Sequence, residues 1–337
     1  PARATDQVRE RFQAKLTTLA TVIDSQQPDL LALQEVGPNG ALQALQDALA
    51  TPLPHAMEGE PDGRGIRVAF LSRLPFTATR TIRAFPEMIL PVQARDPVFD
   101  EPSTPEDESL TASMGRGALE VAIEVEGTTV RIITVHLKSK LVSYARQRGQ
   151  VGGSQFAPND ENERYRYAAY GIYRRTTEAV TIRARVNQLL FPAAGSPDSD
   201  EGLGRQKAVV VCGDLNDEPE AATTQILQGP TGSELGTEGF KRDDKGDGYR
   251  LWNLAPILNE GPEGKAPAEA PFTRRFKGRG ELIDHIFASH RLVNPGNMPV
   301  ARTVMASDRL PSITEAPAER THDPGSDHAA VVAEFEF

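Results

Sequence analysis

Cysteine is nearly absent from this chain. Its 337 residues hold one, Cys212, which excludes an internal disulfide and a multi-cysteine zinc site. The lone thiol lies in the apolar run before Gly213 and reads as a buried structural group, not a nucleophile. No stretch approaches the ~18 apolar residues of a membrane span. No signal peptide is visible either, but the chain opens on PARATD without a methionine. The compartment, cytoplasmic or secreted, therefore stays open. Positive charge is in deficit, with 37 Lys and Arg against 47 Asp and Glu and a formal charge of −10. That argues against a protein that holds nucleic acid by bulk attraction, though not against local phosphate binding through a metal ion and a few cations. Three motifs are missing as well: a G-x-S-x-G elbow, a Walker loop, and a G-x-G-x-x-G turn after a strand. Serine-hydrolase, nucleoside-triphosphate and dinucleotide readings lose their support with them.

What is present is a loop-rich globular composition, with 28 Gly and 26 Pro. The length allows one large domain or two ordinary ones. Val8, Phe12, Leu16, Leu19 and Val22 follow helical spacing over 6–24. Strands are expected at 29–36 (DLLALQEV) and 65–76 (GIRVAFLSRLPF), with 77–85 as the hairpin neighbour of the latter. A second helix is expected over 40–50 with Asn39 as its cap. Residues 91–113, rich in Pro and acids, read as an exposed loop. GALEVAIEV and TTVRIITVHL alternate on either side of Glu126-Gly127, a hairpin signal. A long helical pattern fills 161–190. AVVVCGD, ELIDHIFAS and AAVVAEFEF read as strands. Hairpins dominate the interspersed elements, which favours an α+β fold of layered sheets over a doubly wound parallel sheet.

Between 138 and 190, ten Lys or Arg stand against four acids, inside an otherwise acidic chain. This segment reads either as a solvated helix face or as a basic flank that draws an anionic substrate towards His136. Tyr165, Tyr167, Tyr170 and Tyr173 lie in the same stretch and read as packing residues. The sequence shows no clear aromatic-plus-basic platform for stacking bases.

Several polar groups share one placement, in or beside a strand-like apolar run: Glu35, His136, Asp214 with Asn216, Asp284 with His285, and Asp327 with His328. Each alone is a polar boundary; together they could converge on one rim of packed sheets. Carboxylates without cysteine favour a hard cation such as Mg²⁺, with Mn²⁺ as a substitute, over Zn²⁺. Such a set suits attack of water on a phosphoester, with a carboxylate handling the water and the amide and imidazoles stabilising charge.

In LLALQEV, GIRVAFLSRLPF, TVHLKSK, VCGDLNDEP, LIDHIFAS and GSDHAAVVAEFEF, in that order from residue 29 to 337, the chain resembles the endonuclease/exonuclease/phosphatase superfamily, the deoxyribonuclease I-like proteins. The resemblance implies a single domain, a four-layer α/β/β/α sandwich of two mixed, largely antiparallel sheets, with 138–190 as an inserted basic helical segment. It implies Glu35 as the principal metal ligand, with Asp327 helping to hold the ion. Asp214 would position or deprotonate the attacking water, and Asn216 would contact the phosphate. His328, oriented by Asp284, would bond the phosphate or act as acid or base, and His136 would be a second phosphate or leaving-group contact. Arg116, before a strand in MGRGALEV, is a candidate phosphate contact. His285 should point to the opposite face of its strand and be structural. His55, His290 and His322 take no role. Family members open with a strand carrying a metal-site Asn, and no such strand precedes the helix at 6–24; truncation and true absence both remain open. The leading function is a metal-dependent nuclease. A phosphatase or phosphodiesterase acting on phosphoinositides, sphingolipids or small phosphoesters is the alternative, and a non-catalytic binding protein on the same fold is a third. The oligomeric state is not legible.

Overall fold

The structure, a computed structural model of the chain, describes residues 6–38, 40–94, 110–141, 153–154, 157–158, 160–196, 198–199, 202–236, 246–258, 271–294, 298–304, 312–313 and 325–337. The chain opens with α1 (Asp6–Gln26), β1 (Leu30–Val36) and α2 (Ala41–Ala48). There follow β2 (His55–Glu58), β3 (Arg67–Ser72), β4 (Ala78–Ala84) and two short strands, β5 (Val92–Gln93) and β6 (Leu110–Thr111). The long hairpin is β7 (Ser113–Val125) and β8 (Thr128–His136). Short β9 (Gly153–Ser154) and β10 (Ala157–Pro158) precede α3 (Glu161–Leu190). The second half comprises β11 (Ala208–Asp214), α4 (Ala222–Gln228), β12 (Leu251–Asn253), β13 (Arg274–Phe276) and β14 (Arg279–Glu281). It closes with β15 (Asp284–Ser289), β16 (Val300–Val304), β17 (Ser312–Ile313) and β18 (Ala330–Glu334).

The largest sheet has the order β12-β15-β11-β8-β7-β4 and is antiparallel except where β11 runs parallel to β8. A second sheet, β1-β3-β2, is antiparallel, and β16 pairs with β18. This mixed, largely antiparallel α+β fold is the class expected from the hairpin-rich pattern. Three apolar clusters hold it together, each joining faces that strand or helix periodicity makes apolar. Leu16, Ala20 and Ile23 of α1 and Leu42 and Leu45 of α2 pack on Ala69 and Leu71 of β3. The opposite face of β3, Val68 and Phe70, meets Val121, Ile132 and Val210 of the large sheet. The far face of that sheet, Ile133, Val135, Val209 and Val211, is covered by Ala179, Ile182 and Val186 of α3 and Leu227 of α4.

The Glu126-Gly127 turn has φ of 49° and 78°, the two left-handed residues of a tight hairpin whose twist matches its strands. Four expectations need correction. β4 pairs with β7, not β3, because both edges of β3 are already taken by β1 and β2. The residue capping α2 is Gly40, at φ 82°, with no side-chain cap; Asn39 lies outside the described residues. Only the second half of α1 is docked, for Val8 and Phe12 are 53% and 45% exposed. The expected loop at 91–113 contains β5 and β6, and its middle lies outside the described residues.

Candidate active site at the strand ends

Asp214 is the last residue of β11, between β8 and β15. The registers set it opposite His136 on the parallel side and opposite Asp284 on the antiparallel side. Three neighbouring strand ends thus deliver two carboxylates and an imidazole to one place. The glycine before Asp214 permits this. Gly213 has φ +130°, and a Cβ there would lie 2.1 Å from the carbonyl oxygen of Val135, so only glycine fits the close approach. Asn216 also takes a left-handed conformation, φ 55°, which asparagine tolerates. Its N–H donates to Asp214 Oδ1 at 2.8 Å, and its Nδ2 donates to the Leu137 carbonyl at 3.1 Å. The GDLN turn therefore positions both of its polar residues against the exit of β8.

His328 Nδ1 lies 2.7 Å from Asp284 Oδ2. Burial opposes charge on this ring, but Asp284, Asp214 and Asp327 outweigh it and raise its pKa to about 9. The ring is thus an imidazolium at neutral pH, with Nδ1–H donating to Asp284. Asp214 is pushed the other way for a carboxylate. Burial first, and the Asp284 charge second, raise its pKa to about 7. His136 is held well below its ordinary value, by burial first and by the Arg116 charge next, so this imidazole is neutral. Arg116 Nη1 sits 2.7 Å from His136 Nδ1 and 3.0 Å from Nε2, while Asp214 Oδ2 is 3.4 Å from Nε2. A guanidinium can only donate, so the lone pair of the neutral ring accepts from Arg116.

Arg116 ties this group to the end of β1. It lies 3.8 Å from Glu35 Oε1 and 3.7 Å from Asp62 Oδ2. The β1–β3 register slips between Leu33 and Val36, and Glu35 adopts φ 55° within that bulge, its carboxylate 61% exposed. Such strain in a non-glycine residue is typical of functional positions. The neighbouring Gln34 donates to Thr134 Oγ1 at 2.9 Å, which pins this bulge beside the end of β8. Asp327 is half-buried next to His328, and its charge acts on that ring.

Most of the expected set is therefore assembled: Asp214, Asn216, Asp284, His328, His136 and Arg116 meet, with Glu35 next to Arg116. His285 is structural as anticipated, buried with Nε2 at 2.8 Å from the Asp217 carbonyl and Nδ1 at 3.2 Å from Asn253 Nδ2. His55 and His290 pack against Phe76 and Trp252, and His322 lies outside the described residues.

Three supporting residues were not singled out from sequence. Asp62 forms the turn between β2 and β3, its Oδ1 accepting from the N–H groups of Arg64 and Ile66. Thr273 Oγ1 accepts from the N–H groups of Ile283 and Asp284, and its carbonyl accepts from Ala329 N–H. It thereby stitches together the backbones that carry Asp284 and His328. Glu178 of α3 accepts the Lys138 N–H at 2.6 Å, just past His136. Asp-Gly-Arg-Gly at 62–65 is a readable turn, but its position beside β7 is tertiary, and Thr273 and Glu178 carry no local signal.

The basic segment fits its first reading where Arg164 pairs with Glu161 on the solvated face, but its later arginines depart from both readings. Arg175 bonds Asp217 at 2.7 Å, Arg185 forms a two-pronged pair with Glu120, and Arg183 donates to the carbonyls of Leu227 and Tyr249. These cations face the interior because this side of α3 covers the large sheet. The packing reading of the tyrosines holds for Tyr167, which is fully buried, whereas Tyr165 and Tyr173 are exposed.

Strand-end carboxylates, an amide and imidazoles on a mixed α/β body of this topology define a deoxyribonuclease I-like protein. The chain belongs to the Endonuclease/Exonuclease/phosphatase family, whose profile matches residues 8–328. Members of this family are hydrolases acting on phosphoester bonds. Among solved structures, the human Nocturnin catalytic domain with bound sulfate anion is similar at 17% identity and a TM-score of 0.52, over 98% of this chain and 86% of that one. Truncated Caenorhabditis elegans TDP2 is similar at 14% identity and 0.50, over 97% and 91%. The Bacteroides thetaiotaomicron mannosyl-6-phosphatase Bt3783 is similar at 13% and 0.51, over 99% and 96%. At these identities the likeness is one of fold. No curated protein matches the sequence significantly. Among the described residues, no helix is long and apolar enough to cross a membrane.

Proposed function

We propose that this protein is a metal-dependent phosphodiesterase, a nuclease, in which Asp214 handles the attacking water. The observation that carries the reading is the meeting of Asp214, neutral His136 and the charged Asp284–His328 pair at adjacent strand ends. A carboxylate with a pKa near 7 is a stronger base than an ordinary aspartate, which suits proton removal from water at neutral pH. His328, fixed by Asp284, presents its Nε2–H to a phosphoryl or leaving oxygen. The Asn216 amide and the Arg116 guanidinium add donors that need no reorganisation as charge develops.

Glu35 fits a hard cation. Its carboxylate is exposed, and Arg116 at 3.8 Å is beyond hydrogen-bond reach, so its lone pairs suit an oxygen-seeking ion such as Mg²⁺ or Mn²⁺. Asp327 would be its companion ligand. Asp214, Asp284 and His328 bring ligand atoms within 4.8 Å of one another, but a protonated His328 bonded to Asp284 has no lone pair for a metal. We therefore assign this trio to proton handling. A bound ion would polarise the phosphoryl oxygens.

A phosphatase or phosphodiesterase acting on a small or lipid phosphoester is the second reading. It is favoured by the net acidity and by the inward-turned arginines of α3. The deciding experiment is hydrolysis of plasmid DNA and RNA beside phosphoinositides, sphingomyelin and sugar phosphates, with Mg²⁺ or Mn²⁺. Asp214→Asn and a chelator serve as controls. Metal-dependent cleavage of polynucleotide, lost in the variant, is the expected result. Turnover of small or lipid esters with polynucleotides untouched would replace it with the second reading.

A further inference from the structure

Arg116 and His136 lie just beyond the point where their two strands stop pairing. The β7–β8 ladder ends at Leu119 opposite Thr134. On the other edge of β7, the ladder to β4 slips between Ala118 and Ser113. Arg116 therefore sits in a stretch that neither ladder holds. Close ion pairs do not place its guanidinium either, for Glu35 and Asp62 stand 3.8 and 3.7 Å away, beyond hydrogen-bond reach. The segment after His136, by contrast, is anchored to β11. The Leu137 N–H donates to the Asp214 carbonyl at 2.9 Å, and the Leu137 carbonyl accepts from Asn216.

Glu178 of α3 closes the fork between the two strands. The β7–β8 register, continued, sets Gly115 opposite Lys138. Glu178 accepts from the main chain at both places, from the Lys138 N–H at 2.6 Å and from the backbone of Gly115. Two N–H groups cannot bond each other, and a carboxylate, which only accepts, can serve both. The side chain is 2% exposed. Burial raises its pKa, against the charges of Arg174 and Arg116 and the two N–H groups. The helix itself is anchored independently, through Arg175 on Asp217, Arg185 on Glu120 and Arg183 on two carbonyls.

We propose that Glu178 is a positioning residue of the site: by holding Gly115 and Lys138 at a fixed separation, it holds the Arg116 guanidinium against the His136 ring. The inference rests on the phosphoester reading above, in which these two groups face the reacting phosphate. Without Glu178, two main-chain donors lose their buried acceptor. The unpaired stretch of β7 is then free to shift against β11, and Arg116 shifts with it. A displacement of about 1 Å at such a group can cost about 10²-fold in rate.

The test compares wild type with Glu178→Gln, which keeps the volume but removes the charge and half of the accepting capacity. Heteronuclear NMR of the histidine rings in the metal-free full chain needs no hydrolysis. The His136 signals should move in the variant, while those of His55 and His290 stay. In parallel, kcat on the phosphoester that the wild type turns over fastest should fall by about 10- to 10²-fold, more than KM rises. Glu178→Asp keeps both oxygens but withdraws them by one methylene. It should move the same signals less, and it carries the test if Glu178→Gln does not fold. Wild-type His136 signals and kcat in a folded variant would overturn the proposal, even if that variant melts earlier, because Glu178 would then only stabilise. Moved signals with unchanged kcat would overturn its part in the reaction. If the wild type turns over no phosphoester, the proposed function fails, and the ring signals still decide whether Glu178 sets the pair.

Discussion

Two groups of charged side chains are enclosed in this molecule, and they are satisfied to different degrees. Under α3, three arginines meet an opposite charge or a carbonyl. Arg175 meets Asp217, Arg185 meets Glu120, and Arg183 meets main-chain oxygens and Asn187. At the strand ends, Asp214 and Asp284 face each other with one imidazolium between them, and Asp214 is raised to about 7. Matched charges of the first kind lock an element in place, and removing one partner strands the other. Like charges held together are costly to the fold, and such perturbed groups cluster where chemistry is done. On the proposed reading, this contrast sets the groups assigned to chemistry apart from the pairs that hold α3 to the sheet.

It can be broken by exchanging the expected effects. Asp214→Asn should lower metal-dependent phosphoester turnover by about 10⁴-fold, the upper range for loss of a general base, and leave stability unchanged or higher. The sign follows from its pKa. A carboxyl at about 7 when folded and 3.8 when free binds its proton more tightly in the folded state, so ionisation weakens the fold as pH rises between those values. The stability of Asp214→Asn relative to wild type should therefore grow from about pH 4 to pH 7 in metal-free denaturant titrations. A variant that unfolds more easily at pH 7 would erase the distinction. Asp284→Asn should reduce turnover by about 10²–10³, because His328 loses the partner that fixes its orientation and charge.

The opposite profile is expected under α3. Arg175→Met leaves the half-buried Asp217 without its cation and should cost about 3 kcal/mol of unfolding free energy, the low end for a broken buried pair. Turnover per folded molecule should be little changed. Loss of turnover in a fully folded Arg175→Met protein would place this pair in the chemistry.

Much of the site could be read in advance because β-strands carry a period of two and end abruptly. A run such as AVVVCGD states where the strand stops, and the residues at the stop are those that face the rim. The need for glycine at 213 was not legible, since the 2.1 Å approach to the Val135 carbonyl that excludes a Cβ arises only when β11 lies against β8. The direction in which helical arginines point was not legible. Arg175, Arg183 and Arg185 look like any solvated helix face until the large sheet is laid against α3. Thr273 and Asp62 were invisible for a related reason, since their partners are backbone groups brought near only by tertiary pairing. The pairing of β4 was misassigned because hydrophobic alternation identifies a strand without naming its neighbour.

The smallest expected effect concerns Lys138, which lies between the two groups. Its amine donates to the carbonyls of Ser139 at 3.0 Å and Leu141 at 2.6 Å. Burial first, and the Arg174 charge next, lower its pKa to about 8, with Glu178 acting in the opposite direction. The charged amine is thus less favourable when folded than when free. That penalty is complete below about pH 8 and fades towards 10.5. Relative to Lys138→Met, the wild type should gain about 1 kcal/mol of stability between pH 8 and 10, the excess over this being lost to solvent screening. A flat difference over that range would mean that the three carbonyl and hydroxyl contacts around Nζ already compensate its charge. Lys138 would then belong with the matched network under α3, and the boundary between the two groups would fall between residues 136 and 138.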